Sequence, residues 1–268
     1  MKKFLIAVSI TAVLSSCSQY QKTLKTEDKA KKYELATELF NKGKYNKAIR
    51  LYEQITGTYR GRPSGEALFY RLSKSYYETK QYYLAAEQFK SFINGYPTSE
   101  KRAEAMFLRA KSYAMLSPVY SQDQTDTYLA IETLQAFIDA YPESDQIAEA
   151  NELMAEMNEK LERKAFEIAN QYNTIGEYTR NYNASIVAID NFIIDFPGSK
   201  YREDALFSKF DSYYKLAINS VEEKRKERLE KAAQAYVVFS ESYADSKYKN
   251  KADNMIETVN NELLKYSN

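Results

Sequence analysis

The sequence predicts an all-α solenoid of about five helix–turn–helix repeats closed by a C-terminal capping helix. Three observations carry this. The 268 residues include only 7 Gly and 5 Pro, so long helices run with few breaks. A short ending recurs as Tyr96-Pro97-Thr98-Ser99, Tyr141-Pro142-Glu143-Ser144, Phe196-Pro197-Gly198-Ser199 and a degenerate Tyr243-Ala244-Asp245-Ser246. Each ending closes an amphipathic stretch with apolar residues at helical spacing, as in Ala85, Phe89, Phe92 and Tyr96.

In chain order, residues 29–62 make a first repeat whose second helix, 45–59, lacks the Pro at the matching place. Residues 66–99 make a second repeat of 34 residues, the tetratricopeptide (TPR) length. In it Phe69, Leu72, Ser73, Tyr76, Ala85, Phe89, Phe92 and Pro97 stand at the TPR signature positions. Small residues (Ala36, Ala48, Ser73, Ala85) let paired helices approach, and aromatics fill the gaps between repeats. The third repeat, 103–144, is stretched by a turn around 117–124. The fourth, 145–199, implies a lengthened first helix through 145–173. The fifth, 200–246, carries an insertion at Glu222–Lys231 that reads as a solvated helix laced with i,i+4 ion pairs. Residues 247–268 form the cap, with its helix at 247–265 and a polar outer face. Pro ends the second helix of repeats two, three and four, and the Ser two residues later is expected to cap the next helix.

The amino terminus reads as an address. Lys2 and Lys3 precede an apolar run of 11 residues, Phe4 to Leu14, too short to span a bilayer and suited to a signal-peptide core. It ends Leu14-Ser15-Ser16-Cys17, which resembles a bacterial lipobox. Residues 1–16 are then a lipoprotein signal peptide, and Cys17 receives an S-diacylglycerol and an N-acyl group. Each buried CH₂ of these chains adds ~0.8 kcal/mol of membrane affinity. The alternative is an ordinary secretory signal with a chance Cys, but the chain's single Cys stands where the motif needs it. Residues 17–28 lack an apolar pattern and read as a lipidated tether. Ser18, rather than Asp, after the lipid site is consistent with outer-membrane delivery.

Composition narrows the chemistry. With 38 basic and 37 acidic residues the formal charge is +1, without the basic excess of a nucleic-acid binder. The chain has no His, which excludes His-based triads and HExxH zinc sites. One Cys excludes an intrachain disulfide and a Cys-rich metal site. No nucleophile-and-base constellation is present. The expectation is therefore no catalytic residue, no metal and no cofactor beyond the covalent lipid on Cys17.

These features together resemble the BamD family, the TPR lipoproteins of the outer-membrane β-barrel assembly (BAM) machine. The resemblance covers essentially all of 17–268 and rests on Cys17 in its lipobox, five repeats, the aromatic-Pro-x-Ser endings and the irregular third and fourth repeats. In segment 161–178, Ala169, Tyr172, Gly176 and Tyr178 follow the order by which that family enters its fourth repeat. The chain departs from better-known members in its Ser/Gln/Asp-rich third-repeat insertion. The stretch Ala184–Ile189 also lacks a basic residue, so a partner contact made there by Arg is not carried over.

The resemblance implies a protein lipid-anchored in the outer membrane and facing the periplasm. It implies binding to a BamA-type barrel insertase through its POTRA domains, receipt of unfolded outer-membrane β-barrel proteins, and company from other assembly lipoproteins. Envelope TPR proteins of Tol-Pal coordination or pilus secretin assembly share the aromatic-Pro-x-Ser ending and form the alternative.

First helices line the concave face of a TPR array. By position, the groove receives Tyr33, Thr37, Phe40 and Asn41 from repeat one. Repeat two adds Tyr70, Lys74, Tyr77 and Glu78, and repeat three adds Phe107, Lys111, Ala114 and Met115. Rings among these would take apolar side chains of an extended substrate peptide, and Lys74 or Lys111 its terminal carboxylate. The competing reading makes the rings inter-repeat core and the lysines solvated.

The expected outcome for Cys17→Ala is release from the membrane fraction, checked by cell fractionation and immunoblotting. Retention as tight as the parent would defeat the lipid-anchor reading.

Overall fold

A computed structural model describes residues 19–266. The signal peptide and Cys17 lie outside the described residues. The chain divides into two compact units, 1–158 and 159–268. All regular structure among the described residues is helical.

In the first unit α1 (Lys29–Asn41) pairs with α2 (Tyr45–Glu53), α3 (Glu66–Glu78) with α4 (Tyr82–Gly95), and α5 (Arg102–Leu116) with α6 (Thr125–Ala140). α7 (Ile147–Thr179) begins in this unit and ends in the second. It is longer than the sequence suggests and runs six residues past 173. In the second unit it precedes α8 (Asn183–Asp195), α9 (Arg202–Ile218), α10 (Glu222–Ser242) and α11 (Lys249–Leu264).

In the first two pairs the turn is set by a left-handed residue. Gly43 (φ 68°) and Lys80 (φ 59°) follow α1 and α3. At Lys80 the residue's own N–H donates to Tyr77 O, and that of Gln81 to Tyr76 O, both at 2.9 Å. Gly43 and Lys44 repeat the pattern onto Phe40 and Leu39. This is a Schellman closure, which satisfies the last carbonyls of the helix.

The turn between pairs is set by an aromatic corner that recurs four times. Tyr96, Tyr141, Phe196 and Tyr243 have nearly identical backbones, φ −129° to −141° and ψ 59° to 67°. Each N–H donates 2.9 Å to the carbonyl of a Phe four residues back, Phe92, Phe137, Phe192 or Phe239. Each ring lies 5.5–6.4 Å from the ring of that same Phe. The following Ser does not occupy the cap position. Its hydroxyl accepts the N–H of the residue two later, as from Lys101 (3.1 Å), Tyr201 (3.1 Å) and Tyr248 (3.0 Å), and that residue precedes the helix. The Ser closes a lead-in turn, because its own N–H is already committed to the aromatic's carbonyl.

The first repeat breaks the rule for a local reason. Ile55 stands where the corner Phe would be, and the break falls at Gln54-Ile55. α2 therefore stops at Glu53, and one helical turn, Thr56–Tyr59, resumes after it. Gly65 then passes so close to Tyr59 O that a Cβ would stand 2.3 Å from it, so only Gly fits.

The interior follows the signature. Ala36, Ala48, Ser73, Ala85, Phe89 and Phe92 are fully buried. The 117–124 insertion is held by buried Gln124, whose amide donates to Val119 O and Gln122 O at 3.0 and 3.1 Å. Glu222–Lys231 adds turns to the start of α10 and carries the expected pair Glu227–Lys231, 2.6 Å. In α11 only Ala252, Met255 and Val259 are buried, so its outer face is polar.

Residues 17–28 are not wholly a tether. Residues 19–25 are helical, and Tyr20, 6% exposed, packs into the first core with Leu24 beside it. Tyr20 and Leu24 are one helical turn apart, a two-residue apolar face that is easily missed among Lys, Gln and Thr.

Lys80 pays a steric cost for its left-handed φ. Lys80→Gly should raise stability by roughly 0.5–1 kcal/mol in urea unfolding followed by circular dichroism.

Candidate functional site

On the first-helix side of the first unit, α1 and α3 enclose a pocket of about 480 Å³. It is lined by Phe40, Glu66, Ala67, Tyr70, Arg71 and Lys101, with Pro63 and Ser64. The structure thus brings together two of the expected groove residues, Phe40 and Tyr70. It adds two cations, Arg71 and Lys101, that repeat position did not single out as groove residues. Arg71 is fixed by donating to Tyr33 Oη (3.2 Å) and Thr37 Oγ1 (3.5 Å). Lys101 Nζ lies 5.6 Å from the Tyr70 ring centroid, within cation–π reach.

The other expected groove residues divide by burial. Tyr33 is half-buried and stacks on Tyr59, centroids 5.5 Å apart. Phe107 is core, 4% exposed and 5.3 Å from the Phe137 ring, so it offers no ring to a groove. Tyr70 is also mostly buried against Phe92, which leaves only its edge for the pocket. Tyr77 is half-buried, and burial pushes its hydroxyl pKa up while Lys111 opposes the rise.

Lys74 and Lys111 are not free to take a carboxylate. Lys74 Nζ lies 2.8 Å from Glu104 Oε1, and Lys111 Nζ lies 2.5 Å from Glu149 Oε1. Each pair joins the first helix of one repeat to the start of the next repeat's first helix. The hydrogen bond from Lys111 to Glu149 raises the lysine's pKa. Burial alone would raise the Glu104 carboxyl, but hydrogen bonds from Lys74, Tyr70 and Lys101 outweigh it and hold it at about 2. Glu104 and Glu149 were legible only as early acids of their helices; which lysine each meets depends on the stacking of repeats.

The second unit presents a different surface. On α7, Phe166, Ala169 and Asn173 face inward. Asn173 Nδ2 donates to Ser208 O (3.1 Å), Asp211 Oδ2 (3.0 Å) and Ser212 Oγ (2.7 Å), which ties α7 to α9. Gly176 lets Tyr182 close on the helix, since a Cβ would stand 2.6 Å from its ring. The opposite side is apolar and exposed: Ile168 48%, Tyr172 42%, Ile175 44% and Tyr178 86%. Their spacing of four, three and three residues puts them on one helix face. A continuous apolar stripe of this kind marks an interaction surface.

Paired helices of TPR type make a repeat solenoid, and the groove-side pocket and the apolar stripe are its candidate binding surfaces. Comparison with known proteins gives the family. The chain matches the YfiO family, described as outer membrane lipoprotein, over residues 25–229 and again over 177–267, and it belongs to that family. This places it at the outer membrane. It is 37% identical over 189 residues to the outer membrane protein assembly factor BamD of Aquifex aeolicus (strain VF5). That match spans 70% of this chain and 58% of the relative's length. Among solved structures, a TPR repeats protein of Bacteroides fragilis NCTC 9343 overlaps with TM-score 0.40 at 18% identity, covering 88% of this chain and 100% of that one. Kinesin light chain TPR-like repeats of Podosopora anserina overlap with TM-score 0.38 at 15% identity, covering 86% and 92%.

The Glu104 carboxyl has a folded pKa below its ordinary value of 4.5. The stability it lends is present above that value and is lost as pH falls toward about 2. Carboxyl NMR titration should find Glu104 among the lowest midpoints in the protein. In Lys74→Ala that midpoint should move up toward 4.5, and an unmoved midpoint would remove Lys74 as its cause.

Proposed function

We propose that the protein is a lipid-anchored scaffold of outer-membrane β-barrel assembly, held on the periplasmic face by acyl chains on Cys17. The exposed stripe of α7 docks the periplasmic POTRA domains of a BamA-type barrel insertase. The pocket around Phe40, Tyr70, Arg71 and Lys101 receives a segment of unfolded outer-membrane β-barrel protein, with Arg71 taking its carboxylate and the rings its aromatic side chain. Other assembly lipoproteins join the complex. The protein performs no catalysis and needs no cofactor beyond its lipid.

Family membership and the relative named as an assembly factor support this reading. The observation that carries partner binding is the stripe Ile168, Tyr172, Ile175 and Tyr178. Four large apolar side chains on one exposed helix face gain by desolvation against a partner, and aromatic members are favoured as binding anchors. α7 is firmly held from behind by Asn173 and Gly176, so the stripe is presented on a rigid element.

The test is a mild-detergent pull-down of the tagged protein from outer membranes, with partners identified by mass spectrometry. A near-stoichiometric barrel protein bearing POTRA domains is expected. Ile168→Asp with Ile175→Asp should cut its recovery at least tenfold, in line with a hot-spot loss of about 2 kcal/mol. Recovery of Tol-Pal or secretin components in its place would overturn the proposal.

A further inference from the structure

Charge is unevenly distributed along the chain. Residues 19–62 carry 11 Lys and Arg against 5 Asp and Glu, whereas residues 63–268 carry 25 against 32. A nearly neutral protein therefore has a basic amino-terminal repeat on an otherwise acidic body. Lys22, Lys25, Lys47 and Arg50 are all exposed.

The helix at 19–25 carries two of these cations, Lys22 and Lys25, and α2, on which it packs, carries Lys47 and Arg50. Tyr20 and Leu24 hold it against the first core, which fixes the position of Lys22 and Lys25 on the same short element. Tyr20 and Gln21 line a pocket of about 590 Å³ together with Asn46, Lys47, Arg50 and Glu53. Lys47 Nζ lies 5.1 Å from the Tyr20 ring centroid. Glu53, the acid in that wall, accepts the hydroxyl hydrogen of Tyr76.

Chain length fixes what lies next to this face. Cys17 is three residues from Tyr20, and an extended chain covers at most ~3.6 Å per residue, so their Cα atoms are within about 11 Å. A lipid on Cys17 therefore brings the headgroup surface close to the docked helix. That distance is comparable with the Debye length of ~8–10 Å, so surface charge is felt there.

We infer that the basic face formed by the 19–25 helix and α2, with Lys22, Lys25, Lys47 and Arg50, seats on the anionic phospholipid headgroups of the membrane and orients the first repeat on it. The inference deepens the lipid-anchor reading of Cys17 and rests on it for the position of the membrane. Acyl chains hold a protein at a bilayer without setting which side faces it; a docked helix and a cationic face supply that second signal. The acidic remainder of the chain is repelled by the same surface.

The test separates the two readings by removing the lipid. The mature chain carrying Cys17→Ser is floated with vesicles of phosphatidylethanolamine and phosphatidylglycerol, and with vesicles of phosphatidylcholine alone. Binding to the anionic vesicles only, weakening as salt is raised, is expected. Lys22→Gln, Lys25→Gln, Lys47→Gln and Arg50→Gln should each lower it roughly fivefold. Lys224→Gln with Lys226→Gln, exposed cations of α10, should leave it unchanged. Thermal melts by circular dichroism confirm that the variants fold. Equal binding to both vesicle types, no binding to either, or full binding by a variant carrying all four substitutions would each overturn the inference. Failure of the lipid anchor itself is read separately, from fractionation of Cys17→Ala in cells.

Discussion

The structure depends on one local interaction, the aromatic ring at the end of a second helix folded back onto the Phe four residues before it. That contact carries the chain out of one helical pair at a fixed angle, so the next pair stacks at a fixed place. Proline accompanies it three times, at Pro97, Pro142 and Pro197, but does not cause it. Tyr243 is followed by Ala244 and still adopts φ −141°, ψ 67° with the same hydrogen bond to the carbonyl four residues back. The ring pair, worth about 0.5–1.5 kcal/mol beyond its buried area, is common to all four corners. Proline narrows the unfolded chain and removes the option of continuing the helix. Where the Phe is replaced by Ile55, the helix gives out at Glu53, five residues before the matching end.

Stacking at a fixed place has an electrostatic consequence. It brings a lysine in the middle of one first helix opposite a glutamate at the start of the next, at Lys74–Glu104 and again at Lys111–Glu149. Such half-exposed pairs contribute modestly to stability. Their larger effect is on recognition, because a cation already paired with an intramolecular carboxylate is a poor receptor for one from outside. The cationic capacity of the pocket thus passes to Arg71, since Lys101 also pairs with Glu104, at 3.2 Å. Arg71 is oriented by two hydroxyls without being neutralised by them.

The helices, their pairing and the residues of the second-repeat core were legible because period-34 spacing and apolar periodicity are local signals. The small residues Ala36, Ser73 and Ala85 are buried for the reason their positions suggest, close approach of paired helices. The groove was legible only in part. Repeat position says which helix face a side chain occupies, not how far the neighbouring repeat covers it, so Phe107 read as groove and is core. The ion-pair ladder is a property of residues 30 and 38 positions apart, beyond any local pattern. The 19–25 helix was missed because two apolar residues make too short a periodicity, and because its stability comes from the core it meets.

Exposed apolar surface on α7 is costly unless it is used. The sequence places Asn173 and Gly176 on the inner side of that helix, where a wholly apolar, tightly self-sufficient repeat would put larger hydrophobes. Asn173 satisfies its amide on Ser208, Asp211 and Ser212, and Lys215 returns a hydrogen bond to its carbonyl at 3.0 Å. The inner face is thus locked by directional bonds, while Ile168, Tyr172, Ile175 and Tyr178 remain on the outer one. Phe166 and Ala169 keep the inner face partly apolar, so the stripe is apolar surface beyond what the core uses, and burial within the chain does not account for it. The partner proposed for the stripe would account for it, since directional bonds hold the helix in register while the apolar face stays available for association.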